Sequence, residues 1–206
     1  MGMRYSSLAS QQTGFTLIEL MVTVSIMGIL LAASLPSVGV WLSNQRIRNT
    51  ASSISAGIQY AQTEAVRRNR PVTFWLVSLS DASSMNNSCA LSASSGSWVV
   101  TLGNTSPAGK CAPGSSTKQL KAALANDGGG GSALSIAASN TTNSTTANQI
   151  TYNGFGQIAS TTPIQQVNVS SSTSGTLPLR VAINSGGQVK LCNPAITSAT
   201  DSRYCS

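Results

Sequence analysis

From Phe15 to Val40 the chain is apolar apart from small polar residues and one charge, Glu19, near its start. The segment Leu20–Val40 is about 21 residues, or ~31 Å of helix, enough to cross a hydrocarbon core. Pro36 removes one backbone donor and is expected to bend or loosen that helix. Gly28 and Gly39 would let neighbouring helices approach closely. Past Leu42 the sequence turns polar but keeps a helical rhythm. Ile47, Ala51, Ile54, Ile58, Ala61 and Ala65 recur at steps of four and three, which makes one apolar stripe. Such a stripe needs a surface to lie on, most simply a sheet. The helix is expected to end near Arg70-Pro71, because the residue before proline avoids the α region.

Beyond Pro71 the period shortens to that of strands. Val72–Val77 and Trp98–Leu102 are β-branched and aromatic. Ile150–Ile158 alternates around Asn153-Gly154, a hairpin signal. Ile164–Val169 is a further strand. Leu179–Ile183 and Gln188–Leu191 flank Asn184–Gly187 and form a second predicted hairpin. The stretches around 80–97, 125–148 and 170–176 read as Ser/Asn/Gly loops, with a flexible glycine run at Gly128–Gly131. Lys118–Ala125 suggests a short helix.

Composition narrows the class. The chain has 206 residues, only 8% of them charged, no histidine and a formal charge of +7. Low charge with abundant Ser, Thr, Asn and Gly suits an extracytoplasmic β-rich domain. A basic surface fits anionic partners such as DNA or lipid headgroups without choosing among them. Cys89, Cys111, Cys192 and Cys205 all follow the apolar segment, with no C-x-x-C pair. Two disulfides in an oxidising compartment are the natural reading. Of three connectivities, Cys89–Cys111 with Cys192–Cys205 is favoured, since each pair lies within one loop-rich stretch.

The run Gly14-Phe15-Thr16-Leu17-Ile18-Glu19-Leu20, leading into the apolar segment, resembles the N-terminal signature of type IV prepilins and pseudopilins. The resemblance implies cleavage after Gly14 by a membrane peptidase, N-methylation of Phe15, and a role for Glu19 in subunit packing. Because the polar leader precedes the apolar region, such a cut leaves the helix on the mature protein, unlike a secretory signal. Arg68-x-x-Pro71-Val72, the Asn153-Gly154-Phe155-Gly156 hairpin and Gly187-x-Val189-x-Leu191-Cys192-Asn193-Pro194 extend the likeness to the FimT/FimU/GspH group of minor pilins and pseudopilins. The implied fold is α+β and pilin-like. A long N-terminal helix, transmembrane in its first half, packs on an antiparallel β-rich domain of two small sheets. The implied organisation is a leader at 1–14, a transmembrane and filament-core half-helix at 15–42, an amphipathic half-helix at 43–70, and a periplasmic head at 71–206.

Site chemistry points the same way. Without histidine there is no Ser-His or Cys-His nucleophile pair. The acids other than Glu19 are Glu64, Asp81, Asp127 and Asp201, and they are scattered. No catalytic residue, cofactor or metal is expected. Glu19 has a clear electrostatic task, because a carboxylate at the edge of hydrocarbon seeks an opposite charge. The processed amine of Phe15, in the same subunit or a neighbour, would supply it. Arg180, Lys190 and Arg203 are candidates for DNA binding. With a three-residue loop at 185–187, Arg180 and Lys190 share a solvent face, and a Cys192–Cys205 bridge would bring Arg203 toward them. DNA-binding relatives carry G-R-x-R here, whereas this chain reads Gly187-Gln188-Val189-Lys190. The function implied is a minor type IV pilin, assembled in a priming or tip complex and supporting twitching. A type II secretion pseudopilin and a DNA receptor for transformation are the alternatives. Expected partners are prepilin peptidase, minor and major pilins, the inner-membrane assembly platform, inner-membrane lipid and DNA. The location would be the inner membrane with a periplasmic head, then the extracellular pilus.

Overall fold

The computed structural model describes residues 14–115, 118–128, 133–141 and 145–205, leaving aside the side chains of 32–37. Positions 1–13 of the expected leader, the side chain of Pro36 and most of the glycine run therefore lie outside the described residues. The chain divides into two compact units at Gly39/Val40. The first element, α1 (Leu17–Arg68), has 52 residues and contributes to both units.

In the unit Val40–Ser206, all six stripe residues from Ile47 to Ala65 have no solvent exposure. The helix stops in a hydrogen-bonded cap. Asn69 takes a left-handed φ of 48°, and the amides of Asn69 and Arg70 donate to the carbonyls of Val66 and Ala65, both at 3.2 Å. Asparagine tolerates this conformation better than other side chains, and Pro71 then prevents continuation.

Ten strands follow. They are β1 (Val72–Ser78), β2 (Ala90–Leu91), β3 (Ser97–Leu102), β4 (Gln119–Ala123), β5 (Leu134–Asn140), β6 (Thr145–Thr146), β7 (Gln149–Tyr152), β8 (Gln166–Ser171), β9 (Leu179–Ile183) and β10 (Val189–Cys192). One sheet has the order β2-β1-β3-β4, with β7 also on β1, and the other runs β10-β9-β8-β5-β6. Every pairing between these strands is antiparallel. The main core joins the helix stripe to Phe74, Leu76, Trp98 and Tyr152 of the first sheet and to Ile136, Val167 and Val181 of the second. Both faces of β1 and β3 are covered, because Trp75, Val77 and Val99 form a smaller cluster on the far side with Cys89 and Cys111. That double burial is why β1 reads as a continuous apolar run rather than an alternation.

Three expectations change. Where Lys118–Ala125 suggested a short helix, the chain forms strand β4, Gln119–Ala123, followed by a 3-10 turn at Ala125–Gly128, because pairing with β3 outweighs the helix propensity of Leu, Ala and Lys. The Asn153-Gly154 segment is a tight turn closed by one isolated bridge, Tyr152 to Ile158, rather than a regular hairpin. Strand β5, inner in its sheet, lies where a polar loop was expected.

Cys89 is bonded to Cys111 and Cys192 to Cys205, with Cα separations of 6.1 and 5.2 Å. Each bridge closes a short loop and stabilises the fold by about 2–4 kcal/mol. The first ties the loops over the outer face of β1 and β3, and the second returns the C-terminal segment to the end of β10.

Glu64 is buried at the helix end and accepts bonds from Arg67 Nε and Nη2 (2.9 and 2.7 Å) and Arg68 Nε (2.7 Å). These bonds, Arg67's first, lower its pKa from the usual 4.5 to about 2. The folded state thus favours the ionised carboxyl. The resulting stability is fully present above pH 4.5 and is lost as pH falls from there toward 2. Glu64→Gln is expected to flatten the fall in thermal midpoint over that interval relative to the parent. Parallel pH profiles for the two proteins would contradict this.

Candidate functional site

The helix start is built around Thr16 and Glu19. The Glu19 amide donates to Thr16 Oγ1 at 3.3 Å, while Glu19 Oε2 accepts from Thr16 N at 3.1 Å and Thr16 Oγ1 at 3.2 Å. This is a reciprocal capping box, legible in the sequence as Thr-x-x-Glu. The sequence reading gave Glu19 only an amine partner and missed Thr16. Among the described residues the cap uses one carboxylate oxygen, so Oε1 remains open to a second donor. A carboxylate here also complements the positive end of the helix dipole. Cutting the Gly14–Phe15 bond would place an ammonium one residue ahead of the cap.

Every described side chain from Phe15 to Leu31 is exposed, Phe15 to 91%. An apolar surface this continuous requires lipid or other helices as its solvent. Among the described residues no helix is long and apolar enough to cross a membrane.

The second candidate lies on β9 and β10. Lys190 pairs with Ala182 and Cys192 with Arg180, so Arg180 and Lys190 are diagonal neighbours on one face. Both line a groove of about 360 Å³ with Thr141, Gln165, Asn184 and Gln188. Arg180 Nε donates to Asn168 Oδ1 at 2.7 Å, and Lys190 Nζ donates to the Tyr204 carbonyl at 3.1 Å.

Arg203 is not part of that groove. It forks onto Asp201, with Nε–Oδ1 at 3.1 Å and Nη2–Oδ2 at 2.8 Å. It lines a separate cavity of about 130 Å³ with Asn44, Arg48, Leu179 and Leu191. Leu191 alternates with Lys190 along β10, so this cavity opens on the other side of the strand. The disulfide does return Arg203 to β10, but Asp201 holds its guanidinium. In turn, the Arg203 side chain lowers the Asp201 pKa to about 2.

The remaining acids also have local partners. Asp81 accepts from the amide and hydroxyl of Ser83, and Asp127 from the Leu124 amide. Among the described residues no group of His, Cys, Asp or Glu is placed to hold a metal ion. The Tyr152 phenol is buried and its pKa is pushed up by burial, while its hydroxyl donates to the Gly187 carbonyl at 3.2 Å. It joins the two sheets and serves packing.

A family model described as type II transport protein GspH matches residues 50–187. A second, the prokaryotic N-terminal methylation motif, matches residues 9–35. No curated protein matches the chain. Two crystal structures of the type IV minor pilin FimU from Pseudomonas aeruginosa (strain PAO1) are similar. One is 16% identical with a TM-score of 0.44, covering 72% of this chain and 92% of that one. The other is 15% identical with a TM-score of 0.40, covering 72% and 97%. With more than half of its length matched and the methylation motif ahead of it, the chain belongs to the GspH family of pilin-like transport proteins.

Proposed function

We propose that the chain is a non-enzymatic filament subunit of the minor type IV pilin kind. Prepilin peptidase would cut it after Gly14 and methylate Phe15. It would wait in the inner membrane through the apolar half of α1, then join other pilins through the assembly platform in a priming or tip complex that supports twitching. The observation that carries this reading is the capped start of α1. Thr16 and Glu19 fix the first turn directly beside Gly14-Phe15, and every described side chain over the next turns is apolar or small and exposed, apart from Glu19 itself. Intact mass of the chain purified from host membranes is the test. The mature species is expected to lack residues 1–14 and to carry one methyl group on Phe15. A full-length, unmodified N-terminus as the sole species would refute the reading.

The family model's own description, type II transport, supports a second reading as a secretion pseudopilin. Deletion separates the two: loss of twitching with normal secretion supports the pilus, and the reverse supports the secretion system.

DNA binding would rest on the groove with Arg180 and Lys190. Nothing there resembles a recognition helix or a stacking platform, so phosphates are the target. With two cations rather than three, the slope of log affinity against log salt is expected near about −2. Lys190→Ala should lower both affinity and slope, and Gln188→Arg should raise affinity. No DNA retention at low salt by either the parent or Gln188→Arg would exclude this role.

A further inference from the structure

In the unit Val40–Ser206, the most exposed large apolar side chain among the described residues is Phe155, at 84%. Its surroundings are held firmly. Asn153 Oδ1 accepts from the amides of Phe155 and Gln157, both at 3.0 Å. The Asn153 amide donates to the Gln157 carbonyl and the Gly156 amide to the Asn153 carbonyl, both at 2.9 Å. Gln62 Nε2, from α1, donates to the Gly156 carbonyl at 2.9 Å. Gly156 has a φ of +75°, and a Cβ there would lie 3.0 Å from Val66 Cγ2; Gly154 is pressed against Asn69. The turn is thus fastened to the helix end through its backbone, its glycines and Asn153, while its one large side chain is left facing water.

That combination suits an interface. A phenyl ring on a pre-ordered turn loses little further entropy on binding, and buried aromatics with neighbouring arginines dominate binding energy. Val66, also exposed, lies beside the turn. The same helix end carries Arg67, Arg68 and Arg70 against one acid, Glu64. A second copy would present this excess of positive charge again, on a chain whose formal charge is +7, so like charges would meet.

We propose that Phe155 is a docking knob for a different pilin-like subunit, one offering an apolar socket edged by carboxylates. The proposal rests on the filament-subunit reading and names a partner surface for it.

The test uses the full chain in detergent micelles. The probes are the host's other prepilin-like chains, purified and offered one at a time, and the chain itself. One acidic-surfaced chain is expected to bind, less tightly as ionic strength rises. Phe155→Ala should weaken that binding about tenfold or more, with the thermal midpoint and the cleavage of residues 1–14 unchanged. A photo-crosslinking p-benzoylphenylalanine at position 155, in cells, should capture that same chain. Equal affinity of Phe155→Ala and the parent for every probe would overturn the proposal. So would crosslinking confined to a second copy or to lipid, or a lowered midpoint marking Phe155 as a packing residue. Normal cleavage and methylation in these samples keep such a failure separate from failure of the filament reading.

Discussion

Glu19→Val is expected to leave the chain inserted and cleaved but to cut its incorporation into filaments to near background. The substitution makes the apolar segment more hydrophobic, so insertion is not impaired. It removes both things the carboxylate can do. The carboxylate half of the capping box is lost, namely the bonds from Thr16 N and Oγ1, while Thr16 Oγ1 can still accept from the amide of residue 19. The open Oε1, which in the proposed filament role would give register to an apolar helix, is lost with it. Glu19→Gln separates the two roles, since glutamine still closes a capping box but carries no charge. If register depends on pairing with the Phe15 amine, the glutamine variant assembles nearly as poorly as valine. If the cap is what matters, it assembles like the parent. Sheared-filament fractions probed for this subunit give the readout, with Gly14→Val as a control that should accumulate as uncut precursor. Full incorporation of Glu19→Val would remove Glu19 from assembly altogether.

Gly187→Ala is expected to destabilise the unit Val40–Ser206 by about 2–4 kcal/mol, adding a left-handed backbone penalty to overpacking. Gly187 has a φ of +83°, and a Cβ there would lie 2.8 Å from Tyr152 Cε1 and 3.1 Å from Gln62 Nε2. Tyr152 is fully buried, so its ring has no room to yield. Gln62 already holds the Gly156 carbonyl, so one methyl group would disturb the helix, β7 and the β9–β10 turn together. The thermal midpoint should fall by roughly 5–15 °C for a unit of this size. Gly186→Ala is the matched control. No positive φ is found there, and its nearest contact, Asn184 Oδ1 at 3.4 Å, is ordinary. Equal midpoints for the two variants would show that the turn relaxes freely and that the junction is not rigid.

Local pattern carried much of this protein. The stripe from Ile47 to Ala65 repeats with helical period and is fully buried, because a 3.6-residue repeat admits only one buried face. Asn184–Gly187 sets the register of β9 with β10, since the turn fixes which residues oppose. The Thr16–Glu19 cap is likewise local, set by a three-residue spacing. Tertiary structure decided the rest. Strand β5, Leu134–Asn140, is built largely from Ser and Ala, and its place between β8 and β6 comes from hydrogen bonds to strands distant in sequence. No local propensity encodes those bonds. For β4 the same kind of pairing reversed a helical preference. Arg203 was drawn to Asp201 rather than into the groove with Arg180 and Lys190, a choice made by side-chain geometry at the end of a disulfide-bound segment. In sequence, Phe155 follows the Asn153-Gly154 hairpin signal, which does not say which way its ring faces. Only the packing of Gly154 and Gly156 on the helix end shows that its ring is left outside, because exposure depends on where the rest of the chain goes.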